Sequence, residues 1–158
     1  MMLLKKRKLG RTIEEIKEGE KLTLTEKMED KDLLLYLGLT NDANPLYIQH
    51  DYAAQTTFKK PLVPHIMLIG IVTSAVSKYL PGPGSHILSH HIELPNPVYH
   101  YETIKFRFEV KEVNVNENEM VIEVVGENDE GICILEGRIK VCPPSQIKGI
   151  DGSVLESF

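Results

Sequence analysis

The sequence contains few of the residues that define several classes of protein. It has two cysteines in 158 residues, Cys133 and Cys142, without a CxxC pair and without histidines clustered near them in sequence. This excludes a small disulfide-stabilised scaffold and argues against a structural zinc site, which needs four ligands at close spacing. Basic residues are also scarce, since 18 Lys and Arg stand against 23 Asp and Glu. Because a nucleic-acid groove requires an excess of basic residues, we expect no nucleic-acid partner.

Long apolar runs are missing as well. The most apolar stretch, residues 66–76, is about half of the ~20 residues that a membrane-spanning helix needs, so we expect no membrane segment. The basic cluster from Lys5 to Lys8 has no apolar stretch behind it, and we therefore expect a solvated terminus and not a signal peptide. Free thiols without a secretory signal indicate a reducing compartment, so the predicted location is cytoplasmic.

Two longer helices are predicted. Four leucines between positions 33 and 37 give residues 31–39 an apolar face, and Asp30 is placed to cap that helix. Residues 65–80 are apolar on nearly every side, which predicts a helix that is buried all round. Pro64 suits the first turn of this helix, and the Pro-Gly-Pro-Gly run that follows ends it. A short helix over residues 51–57 is expected between the two.

The rest of the pattern indicates an antiparallel sheet. Alternation predicts strands over residues 21–25, 87–94, 104–111, 120–125 and 132–141, with a hairpin turn at 127–131. One buried helix against such a sheet is an α+β design. The length favours one domain. We expect it to span residues 1–142, including a polar lead-in over residues 1–20, and to be followed by a tail over 143–158.

The residues that can carry chemistry are concentrated in residues 41–50, which read Asn-Asp-Ala-Asn-Pro-Leu-Tyr-Ile-Gln-His. This irregular stretch holds a carboxylate, an amide and two groups that can carry a proton. Asp42 and Asn44 can instead serve a turn, because both side chains can accept hydrogen bonds from nearby backbone N–H groups. At the start of the long helix, the N–H groups of His65 and Ile66 are free to hold a developing oxyanion.

Four separated blocks resemble the MaoC-like dehydratases, and most closely the R-specific enoyl-CoA hydratases within them. The family pattern runs Asp-x-Asn-Pro-Leu-His, Arg-Pro-Ile-Val-His-Gly-Met, Leu-Pro-Gly-x-Gly-Ser and Pro-Val-x-x-Gly-Asp. This sequence has Asp-Ala-Asn-Pro-Leu-Tyr at 42–47, Pro-Leu-Val at 61–63, Leu-Pro-Gly-Pro-Gly-Ser at 80–85 and Pro-Val at 97–98. The spacing between residues 42 and 104 matches without an insertion, and the resemblance covers residues 15–142.

The resemblance implies a hot-dog fold, in which the sheet wraps around the long helix. It also implies a homodimer or higher homo-oligomer that binds acyl-CoA or acyl carrier protein thioesters between subunits. The implied reaction is reversible hydration of trans-2-enoyl thioesters to R-3-hydroxyacyl thioesters, without a metal or redox cofactor. Asp42 matches the family's catalytic carboxylate. Asn44 keeps the loop geometry, and the N–H of His65 matches the donor that stabilises the enolate.

This sequence departs from the family pattern at several positions. Tyr47 replaces the catalytic His, and the Val-His-Gly block becomes Val63-Pro64-His65, so that His65 replaces a Gly in the oxyanion loop. Glu102 stands where the family has Asp, a milder change. Three interpretations stay open: Tyr47 acts with Asp42, the imidazole of His65 replaces the missing one, or the protein binds or senses acyl-CoA without catalysis. A thioesterase is a further possibility, since this fold hosts both activities. Thr73 on the long helix either contacts the substrate or bonds to the Ile69 carbonyl.

Overall fold

The computed structural model describes residues 9–146. In chain order the elements are β1 (Lys21–Lys27), α1 (Asp30–Thr40), α2 (Pro45–Ile48), α3 (His50–Ala54), α4 (His65–Lys78), β2 (His86–Glu93), β3 (Thr103–Asn114), β4 (Glu119–Glu127) and β5 (Cys133–Cys142). A short 3-10 helix, Ile13–Glu15, precedes β1. No helix in the described part of the chain is long and apolar enough to span a membrane.

The strands form one antiparallel sheet in the order β1-β3-β4-β5-β2. On β3, Ile104, Phe106, Phe108 and Val110 are buried while the residues between them are more exposed. This is the alternation that the sequence predicted, and each large side chain so buried stabilises the fold by roughly 1.5–3 kcal/mol. The predicted α+β class and antiparallel sheet are therefore confirmed.

Helix α4 packs one face against the sheet. Leu68, Val72, Ala75 and Val76 are buried in the same core as the inward-facing residues of the strands. The prediction of a helix buried all round is wrong, because the sheet covers one side and Ile66 is 43% exposed. The helix also ends at Lys78 and not at residue 80. Leu80 precedes Pro81, and a residue before proline disfavours the helical conformation.

Helix α1 exposes most of the leucines that were predicted to form one apolar face. Leu33 is buried, whereas Leu34 and Leu35 are 67% and 72% exposed. Consecutive residues lie about 100° apart around a helix, so leucines at successive positions cannot all face the core. Asp30 does not cap the helix as predicted; it is the first helical residue, and Glu29 occupies the cap position.

The ends of the described chain are more closely packed than predicted. Ile13 and Ile16 are buried, and the N–H of Gly10 donates to the Pro83 carbonyl at 2.7 Å. The prediction of a surface lead-in is therefore wrong for this part. Pro143 and Pro144, assigned to a loose tail, are also buried. The cluster from Lys5 to Lys8 and the rest of the predicted tail lie outside the described residues.

Between α1 and α4 the chain forms two short helices where the sequence predicted one. Helix α3 ends at Ala54, three residues before the predicted end, and α2 was not predicted. These helices carry the residues discussed below.

Candidate functional site

Consecutive side-chain to backbone hydrogen bonds hold the loop between α1 and α2. Asn41 adopts a left-handed conformation with φ 54°, which ends α1 and turns the chain back. The Asn44 N–H then donates to Asp42 Oδ1 at 3.1 Å, and the Leu46 N–H donates to Asn44 Oδ1 at 3.0 Å. Asn44 thereby caps α2, with Pro45 in its first turn. The predicted turn role of Asp42 and Asn44 is confirmed.

Asp42 has a second hydrogen-bond donor, Tyr36, which the sequence did not predict. The Tyr36 hydroxyl donates to Asp42 Oδ2 at 2.7 Å, and this contact is partly buried. Tyr36 lies in α1, six residues before Asp42. The run of turn formers after α1 indicates a sharp turn, but it does not show that the turn brings Asp42 back to the Tyr36 hydroxyl.

Tyr47 lies in α2, next to this carboxylate. Its N–H donates to the Asn44 carbonyl at 2.9 Å, and its side chain is half-buried. Burial raises the pKa of the Tyr47 hydroxyl above its ordinary value, the charge of Asp42 adds to the rise, and the side chain of Asn44 opposes it. The phenol is therefore protonated at neutral pH and can serve as a proton donor.

Tyr47 and His65 share one cavity of about 300 Å³. Its other walls are largely apolar and include Phe58, Leu62, Leu68, Leu94 and Val98. His65 is the first residue of α4, and its N–H belongs to the turn that has no acceptor within the helix. The cavity thus combines an apolar surface with a backbone donor and a phenol.

Two backbone hydrogen bonds position the segment before α4. The Leu62 N–H donates to the Leu46 carbonyl at 2.8 Å, and the Val63 N–H donates to the Val98 carbonyl at 2.8 Å. The first bond ties this segment to α2, which carries Tyr47. The start of α4 and the backbone of α2 are therefore held in a fixed relation.

Thr73 lies apart from this cavity. It follows His65 by eight residues on α4, which corresponds to about 12 Å along a helix. Its hydroxyl donates to the Gly70 carbonyl at 3.2 Å. The predicted back-bond is present, but its acceptor is Gly70 and not Ile69.

The loop and the start of α4 carry groups of the kinds that transfer protons and bind an oxyanion: a carboxylate, a phenol and a free backbone N–H. Tyr47 and His65 line the cavity, whereas Asp42 is not among its lining residues and lies beside Tyr47. Among residues 9–146, no group of three or more His, Cys, Asp or Glu side chains is placed to hold a metal ion.

Comparison with known proteins identifies the family. The model of the MaoC-like domain matches residues 11–131. The chain belongs to the MaoC-like domain family. This MaoC-like chain is 28% identical over 133 residues to an (R)-specific enoyl-CoA hydratase from Rhodospirillum rubrum, covering 84% of this chain and 92% of the relative. It is 27% identical over 92 residues to an enzyme of the same name from Aeromonas caviae, covering 58% and 69%.

A solved structure agrees with this assignment. The MaoC-like chain superimposes on the unliganded R-hydratase PhaJ1 from Pseudomonas aeruginosa with a TM-score of 0.80 and 25% identity, covering 87% of this chain and 88% of that one. The hot-dog fold implied by the sequence blocks is therefore confirmed. Within this MaoC-like fold, Tyr47 and His65, which both depart from the family pattern, face the same cavity.

Proposed function

We propose that this protein catalyses the reversible addition of water to trans-2-enoyl thioesters, giving R-3-hydroxyacyl thioesters. Family membership and the names of its relatives support this reaction class. The observation that carries the proposal is the arrangement at the start of α4, where Tyr47 and His65 line one cavity and Asp42 lies beside Tyr47. The substrate would be an acyl-CoA or an acyl carrier protein thioester.

In the proposed mechanism Asp42 is the base and Tyr47 the acid. Asp42 takes a proton from a water molecule while the oxygen of that water attacks C3 of the substrate. The electrons of the double bond move to the thioester oxygen. The His65 N–H stabilises the resulting enolate. Tyr47 then donates its proton to C2 as the thioester carbonyl re-forms. Transfer of the proton from Asp42 to the Tyr47 oxygen restores both groups, so the net change is addition of one water.

Asn44 and Thr73 have supporting roles in this proposal. Asn44 caps α2, which carries Tyr47, and its side chain opposes the rise in the pKa of the Tyr47 hydroxyl. Thr73 lies further along α4, where the acyl chain would run beyond the cavity. The imidazole of His65 is exposed at the start of α4 and is assigned no proton transfer.

We further propose that the protein is a cytoplasmic homodimer in which the β2 strands of two copies pair. β2 is an edge of the sheet, and its residues are largely exposed. Leu88 on this strand is 43% exposed. An exposed edge offers unpaired backbone groups to another strand, so pairing of two copies would cover it.

The test is hydration of crotonyl-CoA. The loss of absorbance of the conjugated thioester measures the rate, and chiral analysis identifies the product. We expect turnover to the R product, and we expect Asp42→Asn to lower kcat by at least about 100-fold, since general base catalysis contributes that much or more. Thermal melting of both proteins checks that the variant is folded. A folded Asp42→Asn protein that keeps the full rate would contradict the assignment of Asp42.

A second candidate function is acyl-thioester binding without catalysis. It is favoured by Tyr47 itself, because a phenol with a raised pKa is a poor base where the family pattern has an imidazole. In that case crotonyl-CoA would raise the melting temperature of the protein without being hydrated.

A further inference from the structure

The carboxylate of Asp42 is held at both of its oxygens. Oδ1 accepts the Asn44 N–H at 3.1 Å, and Oδ2 accepts the Tyr36 hydroxyl at 2.7 Å. A carboxylate oxygen can accept more than one hydrogen bond, so each keeps capacity for a water molecule. The orientation of the Asp42 side chain is therefore determined by two donors from different parts of the chain.

Tyr36 is itself tied to the turn that carries Asp42. The Thr40 hydroxyl donates to the Tyr36 carbonyl at 2.8 Å, and the Asp42 N–H donates to the Thr40 hydroxyl at 3.3 Å. The left-handed conformation of Asn41 closes this turn, and the Asn41 N–H donates to the Leu37 carbonyl at 2.8 Å. Backbone and side-chain contacts thus connect Tyr36 and Asp42 in parallel.

We propose that Tyr36 is the positioning residue for the base: its hydroxyl holds the Asp42 carboxylate in the orientation that accepts a proton from the attacking water. This inference rests on the proposed function and deepens it. An aspartate on a turn can otherwise rotate about its side-chain bonds, and small misplacements of a reacting group reduce the rate strongly. Tyr36 acts through Asp42 and does not contact the substrate.

The two tyrosines of the site consequently have different tasks. The hydrogen bond to Asp42 is the main cause that raises the pKa of Tyr36, with burial adding to it. The hydroxyl proton of Tyr36 is thus used in the hydrogen bond to the Asp42 carboxylate. Tyr47 lines the cavity and keeps its proton for the substrate.

Tyr36→Phe tests the proposal, because it removes the hydroxyl and keeps the ring. We expect kcat for crotonyl-CoA to fall on the order of tenfold, as for loss of one hydrogen bond to a charged group, while KM stays within about twofold. The matched control is Tyr101→Phe, which removes a hydroxyl that donates to the Asp30 carboxylate and does not contact Asp42 or line the cavity. That variant should keep kcat near the wild-type value.

A second measurement is independent of turnover. Titration of isotope-labelled tyrosine by NMR should show Tyr36 ionising late in the wild type and at lower pH in Asp42→Asn, because the carboxylate charge is gone. An unchanged Tyr36 titration in Asp42→Asn would overturn the inference. So would an unchanged kcat for Tyr36→Phe in an active protein. A wild type without hydratase activity would instead overturn the proposed function, so the two failures are distinguishable.

Discussion

Individual side chains of the loop over residues 41–47 are held by different kinds of contact. Asp42 is bonded at both oxygens, whereas Tyr47 is tied through its backbone and keeps its hydroxyl beside the cavity. This difference suits a base with a fixed orientation and an acid that must reach a carbon atom of the substrate. The division of roles between the two residues follows from it.

Tyr47 gives the sharpest prediction at the residue scale. We expect Tyr47→Phe to lower kcat for crotonyl-CoA by about 100-fold or more, because the proton donor is lost. Tyr47→His should restore turnover above the level of the Phe variant, since it supplies a group that titrates near neutral pH. Steady-state kinetics at neutral pH check both values, with Tyr52→Phe as a control at an exposed tyrosine of α3. Full activity of Tyr47→Phe would contradict the role of the phenol.

The turn around Asp42 was predictable, but its partner was not. Asp and Asn near a proline predict side-chain to backbone bonds, and those bonds are present. The contact with Tyr36 depends on the angle at which the chain leaves α1, which the left-handed Asn41 sets. Residue types and spacing alone do not encode that angle. The roles of Asp42, Tyr47, Asn44, His65 and Thr73 remain predictions.

At the scale of elements, the strands were easier to predict than the helices. In a strand with one buried face, apolar and polar residues must alternate, and this pattern can be read directly from the sequence. The predicted strands therefore agree with β1 to β5 apart from their ends. The leucines of α1 were misjudged because apolar composition does not say which side of a helix meets the core. For α4, the apolar composition predicted burial on all sides, but a single sheet covers only one face of the helix.

Gly137 in β5 provides a prediction at this scale. A Cβ atom added there would lie 2.2 Å from the His91 carbonyl oxygen of β2. Gly137→Ala should therefore displace the edge strand and lower the free energy of unfolding by about 1–3 kcal/mol. Urea denaturation measures this change.

The matched control for Gly137 is Gly38, where an added Cβ meets nothing within 4 Å. Gly38 lies in α1, so Gly38→Ala should stabilise the protein by roughly 0.5–1 kcal/mol through helix propensity. If both substitutions changed the free energy of unfolding by the same amount in the same direction, the close contact between β5 and β2 would not be the reason that alanine is disfavoured at position 137.

At the scale of the whole molecule, the fold followed from two independent kinds of sequence information. Periodicity predicted one long helix and an antiparallel sheet, and four separated blocks predicted the hot-dog arrangement of these elements. The docking of residues 10–16 against the rest was not predictable, because that segment is mostly polar in sequence and buries isolated residues such as Ile13 and Ile16.

The proposed dimer makes a prediction for the association state. Leu88→Lys places a charge on the exposed edge strand β2 and should convert the dimer to a monomer, as measured by sedimentation velocity. Leu39→Lys is the matched control, since Leu39 is 85% exposed on α1 and away from this edge. A Leu88→Lys protein that sediments as the wild type would exclude the β2 edge as the interface.

The most direct test of the central claim is the pH dependence of crotonyl-CoA hydration by the wild-type protein. Tyr47 donates its proton only while it is protonated, and burial raises its pKa above the ordinary value. As the pH rises from neutral, we therefore expect kcat/KM to hold and to fall only in the alkaline range, above about 10, where the phenol loses its proton. A rate that is lost as the pH rises through about 6.5, where an imidazole gives up its proton, would contradict the account and assign the proton donation to a histidine such as His65.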